Sequence, residues 1–377
     1  MSKRLKLFLV LILVLGILVR IYFIISIDFE VDEYQLVQGV KSITLQNVPV
    51  HFYGFGWGEN TTLAYLALPF IKIFSNLHPI VIFRVLILLA NLLFVFVLFH
   101  FVKLLFNQEV AVIAAAFALI NPWSIRTSVI GFNAYLLPLI YTAAILFILL
   151  GINNKKVVYY IISFLLLALS FYTYAVSFMF VPLLIAIICF IYHKQINKRF
   201  FSAGIAVMFL FSLPIVLFYL KNQFNILGFD KFLFFDLPSL SHTRFSGVSV
   251  LNIYEGMMIP INYSLNYLLH FNILTLLTRG GNYFYGLVYF WDVFFILIAI
   301  FSMLSDKLKS SYKFLILWFV LGAAIPSFVD AHLGYSPTRD VILMPVLIIF
   351  SAYGFDIIIK NIKELKNAYS RSNIRQV

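Results

Sequence analysis

The sequence predicts an all-α integral membrane protein, and three observations carry that expectation. Of 377 residues, 63% are hydrophobic and only 11% charged, with a mean hydropathy of +1.01, whereas soluble domains hold roughly half their residues apolar. The apolar residues are gathered into runs, many of them near the roughly 20 residues that span a bilayer core. Short segments rich in Lys and Arg separate those runs.

The first run, 5–27, follows MSKRLK and is interrupted only by Arg20. It is longer than a signal-peptide core and no small-residue cleavage site follows, so an uncleaved helix is expected. Further spans are expected at 80–102, 109–123, 132–150, 157–170, 175–192, 201–220, 287–304, 314–329 and 341–359. That makes about ten transmembrane helices in one polytopic domain, residues 1–377. The segment 61–76, TTLAYLALPFIKIFSN, is short for a crossing and holds Pro69 and Lys72. It is expected to lie in the interface.

Basic residues stay on the cytoplasmic side of short loops. Placing both termini there collects MSKRLK, GINNKK, HKQINKR, SDKLKSSYK and the basic tail 360–377 on one side. The opposite, extracytoplasmic side then receives the first loop, 28–78, the long loop 221–286 and most of the acidic residues. The expected location is the cell membrane, multi-pass. The net charge of +12 is dispersed among these loops instead of forming a stripe, so no nucleic-acid partner is expected. Cys189 is the single cysteine, which leaves no disulfide framework. The histidines His51, His242, His270 and His332 lack HxxxH spacing, and no phosphate-binding Gly loop, GxSxG or dinucleotide fingerprint is present.

The most informative stretch is 28–60, where Asp28, Glu30, Asp32 and Glu33 fall within six residues. A carboxylate there can take the proton of an attacking hydroxyl. Equally, Asp32 can serve the N-terminus of a helix beginning at Glu33 or Tyr34. Arg84, Arg126, Arg279 and Arg339 fall on the outer side, against the positive-inside bias, and as a set they lean towards a phosphate ligand. Asp292 sits a few residues into an apolar run and needs a partner or a wet cavity.

The order of DEYQLVQGVKSITLQ, FGWGENTTLAYLALPFIKIF, the Arg84 opening, NPWSIRTSVIGFNAYL, LALSFYTYAVSFMFVPLL, YLLHFNILTLLTRGG and GYSPTRDVILMP resembles the GT-C superfamily of polytopic glycosyltransferases. Within it, the protein mannosyltransferase and aminoarabinose transferase-like branch is the nearest match. The resemblance implies a GT-C-like fold and an inverting transfer of sugar from a polyprenyl-phosphate donor to an acceptor hydroxyl of protein, lipid or glycan, on the extracytoplasmic face of the bilayer. It makes Asp32 the base, with Glu33 supporting it or helping to place a divalent cation, Mg or Mn. Arg339 and, more weakly, Arg126 would hold the leaving phosphate. Tyr65, Arg84, His270, Arg279 and Asp292 join them as substrate-binding candidates.

Two departures stand out. Ser128, Val129 and Asn133 occupy a stretch where related sequences often carry Ser-Arg and an acid, and Glu59 replaces a more usual basic or neutral residue. They put metal dependence in question and keep a non-catalytic relative open. A transporter or lipid flippase is the other alternative, although such proteins place ionisable groups near the midplane of broken helices, unlike the carboxylates here.

Overall fold

A computed structural model describes residues 3–44, 46–52, 59–224, 228–239, 258–278, 286–306, 309–333 and 336–374. Its elements are, in order, α1 (Lys3–Ser26), α2 (Val31–Ser42), β1 (His51–Phe52), β2 (Glu59–Asn60), α3 (Thr62–Ile73) and α4 (Pro79–Leu105). Then come α5 (Gln108–Ile120), α6 (Pro122–Arg126), a 3-10 turn at Asn133–Leu136, α7 (Leu137–Asn154), α8 (Val157–Thr173), α9 (Ser177–Tyr192) and α10 (Lys198–Phe224). The remainder comprises β3 (Lys231–Phe232), β4 (Phe235–Asp236), α11 (Met258–Leu269), α12 (Ile273–Thr278), α13 (Phe290–Ser305), α14 (Ser310–Gly322) and α15 (Ala324–Leu333). A 3-10 turn at Arg339–Ile342 leads into α16 (Met344–Ile374).

Several helix ends have identifiable local causes. Asn107 Oδ1 accepts from the backbone N–H groups of Glu109, at 2.9 Å, and Val110, at 3.0 Å, to start α5. Pro79 opens α4 at a position where its missing N–H costs nothing. Lys155, at φ 52°, closes α7 in the left-handed region. The basic tail is no separate segment, because α16 continues through it to Ile374.

Length sets which helices can cross a bilayer. Among the described residues five spans are long and apolar enough, and six if α1 and α2, which meet at 80°, form one bent span. The helices α3, α5, α8, α9 and α13 are apolar but shorter, so length alone supports fewer crossings than the ten expected. The segment that begins with the 3-10 turn and continues as α7 is the most enclosed of the long spans, with 83% of its apolar window buried, against 33% for α10. It therefore forms the centre of the packing, flanked by α8 and α4. Tyr141 in α7 donates to Ser177 Oγ at 2.7 Å, and Ser163 in α8 to the Ala144 carbonyl at 2.7 Å. On the other side α16 packs on α13 and α5. Gly354 permits this approach, since a Cβ there would strike the Phe295 backbone.

The outer connections lean on one another. β1 pairs antiparallel with β2, and β3 with β4. Asp236 joins the two hairpins: its N–H donates to the Val48 carbonyl at 3.0 Å, its carbonyl accepts from Val50 N–H at 3.2 Å, and its carboxylate accepts from Val48 N–H at 2.7 Å. The first loop and the segment before α11 thus share a small backbone-bonded roof.

Candidate active site

The pair singled out in the sequence separates at once. In α2 Glu33 is fully buried and Asp32, one position earlier, is exposed. Glu33 closes a capping box with Glu30, whose backbone N–H donates to Glu33 Oε2 at 2.9 Å. Its Oε1 accepts from Gly131 N–H at 2.6 Å. Arg84 binds both oxygens, Nε to Oε1 at 2.8 Å and Nη2 to Oε2 at 2.7 Å.

Arg84 also donates to the carbonyls of Ile24 and Ile27, each at 2.9 Å, and of Asp28 at 2.8 Å. A guanidinium has five N–H donors, and here all five are engaged. The pair closes the C-terminus of α1, opens α2 and anchors the loop at Gly131. This corrects two expectations: Glu33 has no oxygen available for base or metal chemistry, and Arg84 has no donor left for a phosphate.

What remains near Asp32 is more promising. The hydroxyl of Tyr135, in the 3-10 turn before α7, feels the charges of Arg126, Asp32 and Glu30 and lies near Thr338. Residues from α2, α6, the turn before α7 and the turn before α16 therefore share one electrostatic environment. Arg126 ends α6, whose start is fixed by Asn121 Oδ1 accepting from Ser124 N–H at 3.0 Å. Its Nε and Nη1 are buried with no partner among the described residues. Burying an unpaired cation is costly, so the arrangement calls for an anion. Arg339 starts the turn next to Thr338 and is half-buried.

The other candidates are held elsewhere. His270 is buried, with Nε2 at 2.7 Å from Asp340 Oδ1 and Nδ1 at 2.7 Å from the Asn266 carbonyl. Both ring nitrogens are engaged, which makes His270 a clamp between the end of α11 and the turn before α16 instead of a substrate ligand. Tyr65 donates to the Pro49 carbonyl at 2.8 Å, and burial first, then the Asp236 charge, push its pKa upward. Its role is to tie α3 to the roof. Asp292 caps α13 through Tyr289 N–H, at 3.0 Å to Oδ2, while its Oδ1 is buried without a partner among the described residues. Asp292 does not share the contacts that join Asp32, Tyr135 and Arg126. Arg279 lies outside the described residues.

Asn133, noted as a departure, holds the fold. Its Oδ1 accepts from Leu63 N–H at 2.9 Å, near the start of α3, and its Nδ2 donates to the Asn60 carbonyl at 2.9 Å. Among the described residues no group of three or more His, Cys, Asp or Glu side chains is placed to hold a metal ion. With both Glu33 oxygens engaged, the Asp32–Glu33 pair does not fit a divalent cation.

Sequence reading missed Tyr135, Thr338, Asp340 and Arg20. Tyr135 and Asp340 lie inside the stretches NPWSIRTSVIGFNAYL and GYSPTRDVILMP, where the charged neighbours drew attention first. Arg20 is the lone charge in its run, and it is buried, donating to the Leu119 carbonyl at 2.7 Å and Ala118 carbonyl at 3.3 Å near the end of α5. A cation at a helix C-terminus meets the negative end of the dipole.

Comparison with solved structures decides the architecture. ArnT from Cupriavidus metallidurans, bound to undecaprenyl phosphate, matches with a TM-score of 0.62 at 14% identity, covering 93% of this chain and 60% of that one. This chain shares the polytopic helical fold of ArnT. The archaeal oligosaccharyltransferase AglB from Archaeoglobus fulgidus, in complex with an inhibitory peptide and a dolichol-phosphate, matches with a TM-score of 0.58 at 15% identity, covering 97% of this chain and 52% of that one. The chain thus spans about half of the length of these GT-C proteins. Residues 62–218 match the family model for dolichyl-phosphate-mannose-protein mannosyltransferase. That interval contains Arg84, Arg126, Asn133 and Tyr135, and leaves Asp32 and Arg339 outside it. No curated protein sequence matches the chain.

Proposed function

We propose that this GT-C-fold protein is a membrane glycosyltransferase that moves a sugar from a polyprenyl-phosphate donor to an acceptor hydroxyl, at the place where Asp32, Tyr135, Arg126 and Thr338 meet. One observation carries the reading: Nε and Nη1 of the half-buried Arg126 are buried with no partner among the described residues, in the electrostatic environment that also holds Asp32. On this reading a base and an anion-binding group act on the same environment. The dolichol-phosphate and undecaprenyl phosphate bound to the two matched structures have the required chemistry.

In this reading Asp32 accepts the proton of the acceptor hydroxyl as its oxygen attacks the anomeric carbon. The bond from that carbon to the phosphate oxygen breaks, and its electron pair leaves with the polyprenyl phosphate. Arg126, with Arg339 beside Thr338, matches the charge that develops on the phosphate, which preorganised donors do best in a water-poor site. A single displacement inverts the anomeric configuration. Glu33 and Arg84 act through position, by fixing the start of α2 and hence Asp32. The Lys/Arg distribution supports an extracytoplasmic site in the cell membrane with both termini inside. The acceptor class, whether protein, lipid or glycan, is set by loops beyond these residues.

The test is to incubate the purified chain with a panel of radiolabelled polyprenyl-phosphate sugars and follow release of polyprenyl phosphate. Turnover by the wild type that disappears in Asp32→Asn supports the assignment. Unchanged turnover in that variant overturns it, and absence of turnover with every donor, alongside donor translocation in vesicles, favours a transporter.

A further inference from the structure

We propose that a groove between α4 and α7, in the leaflet opposite the candidate active site, binds an anionic glycerophospholipid. The groove encloses about 430 Å³ and is walled by Phe96, Val97 and Leu104 of α4 and by Leu146, Phe147 and Leu150 of α7. Its only polar lining residues are His100 and Lys103. Both belong to the last turns of α4, and both are exposed.

Position places the groove away from the donor site. Arg84 sits at the other end of α4, and at 1.5 Å per residue Lys103 lies about 28 Å further along the axis. That is close to the thickness of the hydrocarbon core, roughly 30 Å. A lipid occupying the groove is therefore not the polyprenyl donor bound at Arg126.

The rim chemistry selects the sign of the head group. Lys103 carries a full positive charge at the groove mouth. The His100 ring packs against Phe96, with centroids 4.4 Å apart, and its Nδ1 donates to the Phe96 carbonyl at 3.0 Å. This fixes the ring at the rim. No carboxylate lines the groove, so nothing there offsets the Lys103 charge. Basic pockets between transmembrane helices hold anionic head groups, while the apolar walls accept an acyl chain.

A second groove supplies the internal contrast. It lies between α5 and α16, and its lining mixes Lys360 and Lys363 with Glu109 and Asp356. Asp356 already accepts from Lys360 at 2.6 Å. Its rim has no excess of either sign, so it should not distinguish lipids by charge.

The experiment places the full chain in nanodiscs doped with phosphatidylglycerol or phosphatidylcholine, each bearing a photoreactive group on one acyl chain. Irradiation is followed by peptide mapping. Labelling of residues 96–104 and 146–150 is expected to be about fivefold higher with phosphatidylglycerol, the preference a single interfacial lysine confers. Lys103→Glu should remove that preference, while Lys194→Glu, an equal charge change at another exposed position, should retain it. The groove between α5 and α16 should label equally with both lipids. Equal labelling of residues 96–104 by the two lipids, or a preference that survives Lys103→Glu, overturns the proposal. Transferase activity is not part of the readout, so the result stands apart from the proposed reaction.

Discussion

Arg84 and Glu33 form a fully buried bidentate pair in which every guanidinium donor is engaged. Removing one partner of such a pair leaves the other charge buried and uncompensated, a loss of about 3–5 kcal/mol. Glu33→Gln and Arg84→Lys are expected to lower the thermal unfolding midpoint in detergent markedly. A lysine cannot replace Arg84, because an ammonium has three donors and no planar fork. A Glu33→Gln protein of unchanged stability that has lost turnover would instead give Glu33 a role in the chemistry.

Asp32→Asn should behave in the opposite way. The side chain is exposed in the first turn of α2, where its charge contributes about 0.3–1 kcal/mol through the helix dipole. Unfolding should shift little, whereas loss of a general base is expected to lower turnover about 10²–10⁴-fold. Paired melting and donor-turnover measurements check both halves.

For Arg126 the expected trade is between stability and binding. Arg126→Gln removes a cation whose Nε and Nη1 are buried and unpartnered among the described residues, so the variant without ligand should be at least as stable as the wild type. A charged hydrogen bond is worth about 1.5–3 kcal/mol. Affinity for polyprenyl phosphate should therefore fall about ten- to a hundredfold, seen as loss of the ligand-induced rise in the unfolding midpoint.

Asn133→Asp tests whether an acid at this position would serve a metal or harm the fold. The amide donates to the Asn60 carbonyl as well as accepting from Leu63 N–H, and an ionised carboxylate cannot donate. The expected result is a loss of about 1–3 kcal/mol, measured by thermal unfolding, with no gain in Mg- or Mn-dependent turnover.

His270→Phe should loosen the turn that carries Thr338 and Arg339. It leaves the buried Asp340 carboxylate without its imidazole, a loss of the order of 3–5 kcal/mol. Limited proteolysis near residues 336–342 checks whether the turn opens before the helices melt.

Much of this was legible in the chain. The apolar runs determined the helical membrane class, because only helices and closed barrels satisfy backbone groups in lipid, and the order of motifs pointed to the GT-C fold. The charge cluster at 28–33 marked the start of α2, where Glu33 pairs with Arg84. The division of labour inside it was not legible. Asp32 and Glu33 are adjacent, but successive residues of a helix point about 100° apart, so one faces inward to Arg84 and the other outward. Arg84 and Arg126 look equivalent in the sequence. Only the packing of α4 against the end of α1 and the start of α2 gives Arg84 its acceptors, while Arg126 at the end of the short α6 keeps Nε and Nη1 without a partner among the described residues. The sequence by itself determined which residues carry charge in an apolar protein. The tertiary structure alone decided which of those charges neutralise one another, because that depends on contacts between residues such as Glu33 and Gly131, far apart in the chain and joined at 2.6 Å.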